Sequence, residues 1–128
     1  MVFKFINATE AKVGTNIIID GAACTVKSID ISKSGKHGAS KCRIEAVGII
    51  DGKKRVTVSP GHERFDVPLV EKRKSQVLAI GDKVSVMDLE SFETIELPCE
   101  EEIKNELHEG DNVEYWNVEG EKIIKRRV

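Results

Sequence analysis

Short apolar segments, separated by glycines and charged runs, repeat along most of the chain. In several of them apolar and polar residues alternate, which is typical of a strand with one buried face. The pattern predicts nine strands, at Asn16 to Asp20, Ala23 to Ile31, Cys42 to Ile50, Arg55 to Val58, Gln76 to Ile80, Val84 to Leu89, Thr94 to Leu97, Val113 to Val118 and Lys122 to Arg126. Strands spaced this closely predict an all-β chain built as a small barrel or sandwich.

Three dipeptides mark turns between the predicted strands. Glycine adopts a positive φ at low cost, so an acidic residue followed by glycine indicates a two-residue hairpin. The clear signals are Asp20-Gly21 and Asp51-Gly52, and Glu119-Gly120 is a weaker one.

One segment, between Pro98 and Gly110, predicts a helix. The acidic run at 100–102 suits a helix N-terminus, where carboxylates meet the positive end of the dipole, and Ile103 and Leu107 share one face at i, i+4. This role explains the acidic run better than a metal or catalytic site does.

A proline and a charged run separate two strand-rich regions. Pro68 is followed at 71–74 by four charged residues, so we place the break near residues 69 to 73. The predicted domains are 1–70 and 71–128, with the short helix in the second. Each is near the lower size limit for independent folding.

The net charge of −2 conceals an uneven distribution. Residues 1–71 carry 11 basic and 8 acidic residues, net +3, whereas residues 72–128 carry 9 and 14, net −5. A local cationic region usually binds an anionic partner, so the first half is the better candidate for contacting nucleic acid.

Cysteine and histidine usage indicates neither disulfides nor a metal site. Cys24, Cys42 and Cys99 are odd in number, none belongs to a Cys-x-x-Cys, and the three histidines stand at no recognised ligand spacing from them. No uncharged run approaches the ~20 apolar residues of a membrane span. We expect a soluble protein of the reducing cytoplasm, without metal or membrane contact.

The segment at 32–41 contains no large apolar side chain and cannot contribute to a core. It is rich in lysine, and no carboxylate lies between Ser32 and Arg43. If the flanking strands keep pairing up to Gly35 and Gly38, they would lift Lys36 about 15 Å from the barrel.

Three chemical interpretations compete for this loop. A nucleotide-binding loop requires glycine six residues before its lysine and serine or threonine after it, where this chain has Asp30 and His37. Nucleophilic catalysis by Ser34 or Ser40 beside His37 lacks a positioned carboxylate and an oxyanion site.

The third interpretation is an arm that carries a cation into an anionic crevice. Lys36 would be the point charge, His37 would stack on or hydrogen-bond a base or sugar, and Lys33, Lys41 and Arg43 would contact flanking phosphates. An ordinary solvated loop is the alternative that composition leaves open.

The run Lys33-Ser34-Gly35-Lys36-His37-Gly38, between two strands of the first barrel, closely resembles the modification loop of the translation initiation factor 5A family of archaea and eukaryotes. The resemblance covers the whole chain and includes the turn at Ser59-Pro60-Gly61-His62. It implies an SH3-like barrel followed by an OB-fold.

The resemblance also implies that Lys36 is the modified residue. Deoxyhypusine synthase would transfer an aminobutyl group from spermidine to its ε-amine, giving deoxyhypusine or, after hydroxylation, hypusine. Eukaryotic members typically carry His then Ala where this chain has Ala39 and Ser40, so a second loop histidine is missing here. The step that this departure would affect is recognition by the hydroxylase.

By the same resemblance, the partners are the ribosome and peptidyl-tRNA. The modified lysine would reach toward the acceptor end and promote peptide-bond formation at stalled sequences such as proline runs. We expect a monomer that is not an enzyme and has no cofactor or small-molecule substrate. The alternative is a general single-stranded RNA-binding or chaperone protein that uses the OB-fold.

Overall fold

The computed structural model describes residues 4–34 and 39–128. The chain divides into two compact units, Met1–Pro68 and Leu69–Val128.

The first unit is a small β structure with one long hairpin. Its strands are β1 Lys4–Asn7, β2 Asn16–Ile19, β3 Ala22–Ser34, β4 Ala39–Gly48, β5 Lys54–Pro60 and β6 Arg64–Val67, with a 3₁₀ turn at Ala8–Glu10. Four strands form an antiparallel sheet in the order β2-β3-β4-β5, and β1 pairs with β6. The buried core consists of Ala8, Ala11, Ile17, Ile19, Cys24, Val26, Cys42, Ile44 and Ala46.

The second unit is a five-stranded antiparallel sheet with one short helix. Its elements are β7 Val70–Ile80, β8 Val84–Asp88, β9 Thr94–Leu97, α1 Glu101–Lys104, β10 Asn112–Val118 and β11 Glu121–Arg127, and the strand order is β11-β10-β7-β8-β9. A parallel bridge joins Cys99 to Ile124. The core contains Val77, Val84, Val86, Leu97, Leu107, Val113, Tyr115 and Ile124.

A buried carboxylate on β8 accepts hydrogen bonds from side chains on two other strands of this unit, β7 and β10. Asp88 is 2% exposed and accepts hydrogen bonds from Arg73 Nε at 2.6 Å and Nη2 at 3.1 Å, and from the Tyr115 hydroxyl. It also accepts the backbone N–H groups of Glu90 and Ser91. The Arg73 guanidinium, together with these other donors, holds the pKa of Asp88 well below its usual range. We call Arg73, Asp88 and Tyr115 the Asp88 cluster.

The prediction of an all-β chain with a short helix is confirmed within the described residues. The helix is shorter than predicted, because α1 ends at Lys104 and the N–H groups of Glu106 and Leu107 donate to carbonyls three residues back. Such tight bonds close a last turn. The Asp111 carboxylate then accepts the His108 N–H at 2.8 Å and turns the chain.

The charged run at 71–74 belongs to β7, which was predicted to begin only at Gln76. β7 therefore begins six residues earlier than predicted. Lys72 and Lys74 pair across the ladder with Trp116 and Glu114, while Arg73 contributes to the Asp88 cluster. Residues on neighbouring strands therefore stabilise the charged run at 71–74 within a strand, although such a run is typical of a linker.

The hairpin signals differ in outcome. Asp20 and Gly21 both have positive φ and join β2 to β3, and Glu119 with Gly120 joins β10 to β11 in the same way. The prediction of a two-residue turn at Asp51 was wrong, because residues 49–53 connect β4 to β5. There the Asp51 carboxylate accepts hydrogen bonds from the Lys53 N–H and the Arg55 guanidinium, which stabilise a wider loop.

Strands β1 and β6 were not predicted. They are four residues each and pair only with one another, from Lys4 opposite Val67 to Asn7 opposite Arg64. Neither strand has a fully buried residue, so their sequences lack the apolar pattern that marks β2 and β9, which are equally short.

Candidate functional site

The long hairpin of the first unit carries the predicted modification loop, residues 32–41. The register runs through Ser32 opposite Lys41 and Lys33 opposite Ser40 to Ser34 opposite Ala39. The flanking strands therefore pair up to the residues next to Gly35 and Gly38, beyond their predicted ends at Ile31 and Cys42. Gly35, Lys36, His37 and Gly38 lie outside the described residues.

One side of the hairpin base is supported by a third strand. β5 pairs with β4 as far as Pro60 opposite Lys41, and the Gly61 N–H donates to the Ser40 carbonyl at 2.9 Å. On the other side, β2 pairs with β3 only between Ala22 and Thr25. β3 and β4 therefore continue toward the loop as a two-stranded ribbon, and β5 and Gly61 support the base of this ribbon.

Gly61 permits an unusually close approach of backbone to this base. A Cβ at this position would lie 2.1 Å from Ser40 Oγ and 3.0 Å from Thr9 Cγ2. Both distances are shorter than van der Waals contact, so a larger residue would displace Ser40, two residues from Gly38. The sequence analysis identified the turn at 59–62 but not this contact. The contact arises only because the fold brings Gly61 beside Ser40.

The basic residues predicted to flank the loop do not share one face. Side chains directly opposite in an antiparallel ladder lie on the same face, and neighbours along a strand alternate. The register therefore places Lys41 and Arg43 on one face of the hairpin and Lys33 on the other.

Carboxylates that the sequence analysis did not consider lie beside the basic residues of the hairpin. The register sets Asp30 opposite Arg43, and Glu45 Oε1 lies 3.0 Å from Arg43 Nη2 and 3.5 Å from Lys54 Nζ. The Ser28 hydroxyl, followed by these cations, lowers the pKa of Glu45. Arg43 is thus ion-paired, which leaves Lys41 as the exposed cation on that face nearest the loop.

A second candidate surface lies on β10 in the second unit. Tyr115 is buried in the core, whereas Trp116 is half-buried, because neighbouring residues of a strand face opposite ways. Lys72 Nζ lies 4.5 Å and Lys125 Nζ 5.4 Å from the centre of the Trp116 ring. The Trp116 Nε1–H donates to Glu114 at 2.9 Å. The surface combines an aromatic ring with two cations and one carboxylate.

The C-terminal basic residues do not all join that surface. Arg126 pairs with Glu114 at 3.3 Å, and Arg127 lies 4.0 Å from Asp111. Lys122 stands opposite Asn117, the neighbour of Trp116 along β10. The cationic character near Trp116 comes chiefly from Lys72 and Lys125.

Two kinds of feature were sought in the part of the chain that the structure describes, clusters of metal-ligating side chains and helices able to span a membrane. Residues 4–34 and 39–128 contain no group of three or more His, Cys, Asp or Glu side chains that could hold a metal ion. Among the helices of these residues, none is long and apolar enough to cross a membrane.

Comparison with known families accounts for both units. Residues 4–63 match the family described as "Translation initiation factor 5A-like, N-terminal", and residues 69–127 match "Eukaryotic elongation factor 5A hypusine, DNA-binding OB fold". The chain is 46% identical over 126 residues to translation initiation factor 5A of Pyrococcus furiosus, covering 94% of this chain and 91% of that protein. It is 47% identical over 122 residues to the Thermofilum pendens factor of the same name, covering 93% and 92%.

Solved structures agree with the sequence relatives. The eukaryotic translation initiation factor 5A from Methanococcus jannaschii superimposes with a TM-score of 0.87 at 41% identity, covering 100% of both chains. A family protein from Naegleria fowleri gives 0.78 at 29% identity, covering 99% of both. The predicted fold class, an SH3-like barrel followed by an OB-fold, is confirmed. The chain belongs to the translation initiation factor 5A family.

Proposed function

We propose that this protein binds the ribosome in the cytoplasm and promotes peptide-bond formation at stalled sequences such as proline runs. Lys36, modified to deoxyhypusine or hypusine by deoxyhypusine synthase, would reach toward the acceptor end of peptidyl-tRNA. The observation that carries the proposal is the Lys33–Gly38 motif on a family member with a hypusine domain. The flanking strands, paired to Ser34 and Ala39, support it.

The proposed site comprises Lys36 at its centre, with Lys33, Ser34, Gly35, His37, Gly38, Lys41 and Arg43 around it. An aminobutyl extension adds a second nitrogen and roughly doubles the reach of the lysine side chain. A cation would then enter a space too narrow for backbone. Lys41 is exposed at the hairpin base and would screen a neighbouring phosphate.

In this mechanism the protein supplies orientation and charge, and the ribosome supplies the chemistry. Holding the acceptor end in a reactive geometry lowers the entropic part of the barrier. The protein acts as a monomer, is not an enzyme, and uses no cofactor other than the covalent group on Lys36. Its two structural units would be the SH3-like and OB-fold domains, with the boundary near residues 69 to 73.

Replacing the modified lysine tests the proposal. Lys36→Arg keeps the positive charge but removes the amine that accepts the aminobutyl group, so peptide-bond formation on proline-rich messages should fall to the rate without the factor. Lys12→Arg is the matched control, because Lys12 is an exposed lysine of the same unit outside the loop, and it should retain activity. Mass spectrometry of the peptide containing residue 36 reports modification directly. Full activity of Lys36→Arg would refute the proposed role.

A second candidate function is single-stranded RNA binding through the OB-fold, favoured by Trp116 and its two lysines. Aromatic rings with neighbouring cations are the usual platform for unpaired bases. Trp116 is the single tryptophan, so its fluorescence reports binding of an oligouridylate. Strong quenching, together with an unmodified Lys36 in protein from its native host, would favour this alternative.

A further inference from the structure

The turn between β8 and β9, residues 89–93, presents an aromatic side chain to solvent. Phe92 is 70% exposed, more than Phe5 at 52%, whose ring is covered by the Arg64 guanidinium at 4.6 Å. Leu89, in the same turn, is 37% exposed. Exposed aromatic and aliphatic residues on a projecting turn are common at protein–protein interfaces, where aromatics are enriched. We call residues 89–93 the Phe92 turn.

Phe92 also has an unfavourable backbone conformation. Its φ is 61°, in the left-handed region, where the Cβ of a bulky residue meets the neighbouring backbone. Asp20 and Glu119 also have positive φ, but each precedes a glycine in a two-residue hairpin. Phe92 precedes Glu93 and belongs to no such hairpin. Backbone strain of this kind concentrates at functional sites, where the surrounding structure maintains it.

The surrounding contacts hold the turn in this conformation. The Phe92 N–H donates to the Asp88 carbonyl at 2.8 Å, and the Asp88 N–H donates to the Glu93 carbonyl at 2.9 Å. Asp88 Oδ1 accepts the N–H groups of Glu90 and Ser91 at 2.8 and 3.0 Å. Since Asp88 is itself held by Arg73 and Tyr115, the turn rests on a buried charged cluster. Its conformation is set before any partner binds, which lowers the entropic cost of association.

The charge around Phe92 identifies the kind of partner. Glu90 and Glu93 are exposed on either side of it, and Glu90 contacts Arg73 only at 3.4 Å with 78% of its side chain exposed. An acidic rim repels RNA phosphates and attracts lysine and arginine. An aromatic anchor with an acidic rim therefore fits a basic protein surface that contains an apolar pocket.

We propose that the Phe92 turn is a docking site for a basic ribosomal protein, with the Phe92 ring inserted in an apolar pocket and Glu90 and Glu93 facing its cationic rim. This inference rests on the proposed function, because it takes the ribosome as the target. The turn lies in the second unit, whereas the modification loop lies in the first.

Removing the ring without disturbing the turn tests the inference. Asparagine tolerates left-handed φ better than phenylalanine does, so Phe92→Asn should leave the thermal midpoint unchanged or higher. It should weaken binding to purified ribosomes, measured by sedimentation, about tenfold or more, the loss typical of an interface anchor. Val13→Asn is the matched control, since Val13 is 67% exposed in the first unit. It should bind as the unsubstituted chain does.

A photocrosslinker at position 92 identifies what the turn contacts. Benzoylphenylalanine in place of Phe92, irradiated on purified ribosomes, should give an adduct with a ribosomal protein. An adduct with ribosomal RNA, an adduct with a second copy of this chain, or no adduct would overturn the inference. Unchanged ribosome affinity of Phe92→Asn would overturn it as well while leaving the proposed function intact. If the unsubstituted chain fails to bind ribosomes, both the inference and the proposed function fall.

Discussion

At the residue scale, the buried side chain of Asp88 fixes the conformation of the Phe92 turn. Its carboxylate is bound by Arg73 and Tyr115 on neighbouring strands and by two backbone N–H groups of the Phe92 turn. Burial, followed by the hydrogen bond to Asp88, raises the pKa of Tyr115 to about 12. Tyr115 therefore stays protonated at neutral pH and continues to donate.

The Asp88 cluster predicts a pH-dependent stability. The folded pKa of Asp88 lies below its unfolded value near 4, so the ionised carboxylate stabilises the fold at neutral pH. This stabilisation is lost as pH falls below about 5 toward the folded pKa. Asp88→Asn should lower the free energy of unfolding at pH 7 by roughly 2–3 kcal/mol, and the difference from the unsubstituted chain should shrink by pH 3.

Urea unfolding followed by Trp116 fluorescence at pH 7, 5 and 3 measures this effect, since Trp116 lies in the same unit as the cluster. Asp82→Asn is the matched control, because Asp82 is an exposed acid of the same unit. A constant difference between Asp88→Asn and the unsubstituted chain across this range would contradict a role for the ionised carboxylate.

At the scale of the elements, the β3–β4 hairpin owes its support to contacts from outside it. The Gly61 N–H fixes the Ser40 carbonyl, and β5 covers β4 up to Lys41. The sequence pattern predicts the two strands of this hairpin only as far as Ile31 and Cys42. The close approach of Gly61 depends on residues that are 21 positions apart along the chain.

Gly61→Ala should lower the rate at which Lys36 is modified. The new Cβ would meet Ser40 Oγ and Thr9 Cγ2, and overpacking of this kind costs about 1–3 kcal/mol. Because the strain falls at the loop base, we expect a several-fold slower reaction with deoxyhypusine synthase, measured by mass spectrometry.

The second variant Gly61→Ala/Ser40→Ala removes the hydroxyl that the new methyl group meets and should restore part of the rate. Ser40→Ala alone is the control and should react normally. A Gly61→Ala chain that is modified at the unsubstituted rate would show that the base tolerates displacement.

At the scale of the whole molecule, two units of opposite net charge share one chain. The predicted loop lies in the first unit and the Phe92 turn in the second. The charge division suits a molecule whose first unit contacts RNA and whose second unit contacts protein. This division of roles is part of our proposal.

If the units fold independently, the first should be a sufficient substrate for the modifying enzyme. A fragment of residues 1–68, verified as folded by circular dichroism and cooperative unfolding, should accept the aminobutyl group at a rate similar to that of the full chain. The same fragment with Lys36→Arg should accept none. A folded fragment that is not modified would show that the synthase also requires the second unit.

Local patterns determined much of this protein. Alternation and turn dipeptides located the longer strands, and the Lys33–Gly38 motif indicated the family, because such signals depend on neighbours in sequence. Tertiary structure alone decided the contacts between residues that are distant in the sequence, which are Arg73 with Asp88, Lys54 with Glu45, and Gly61 with Ser40, and it also decided the strained conformation of Phe92. The physical reason is register, because ladder pairing sets which charges meet, and no local pattern along the chain records that pairing.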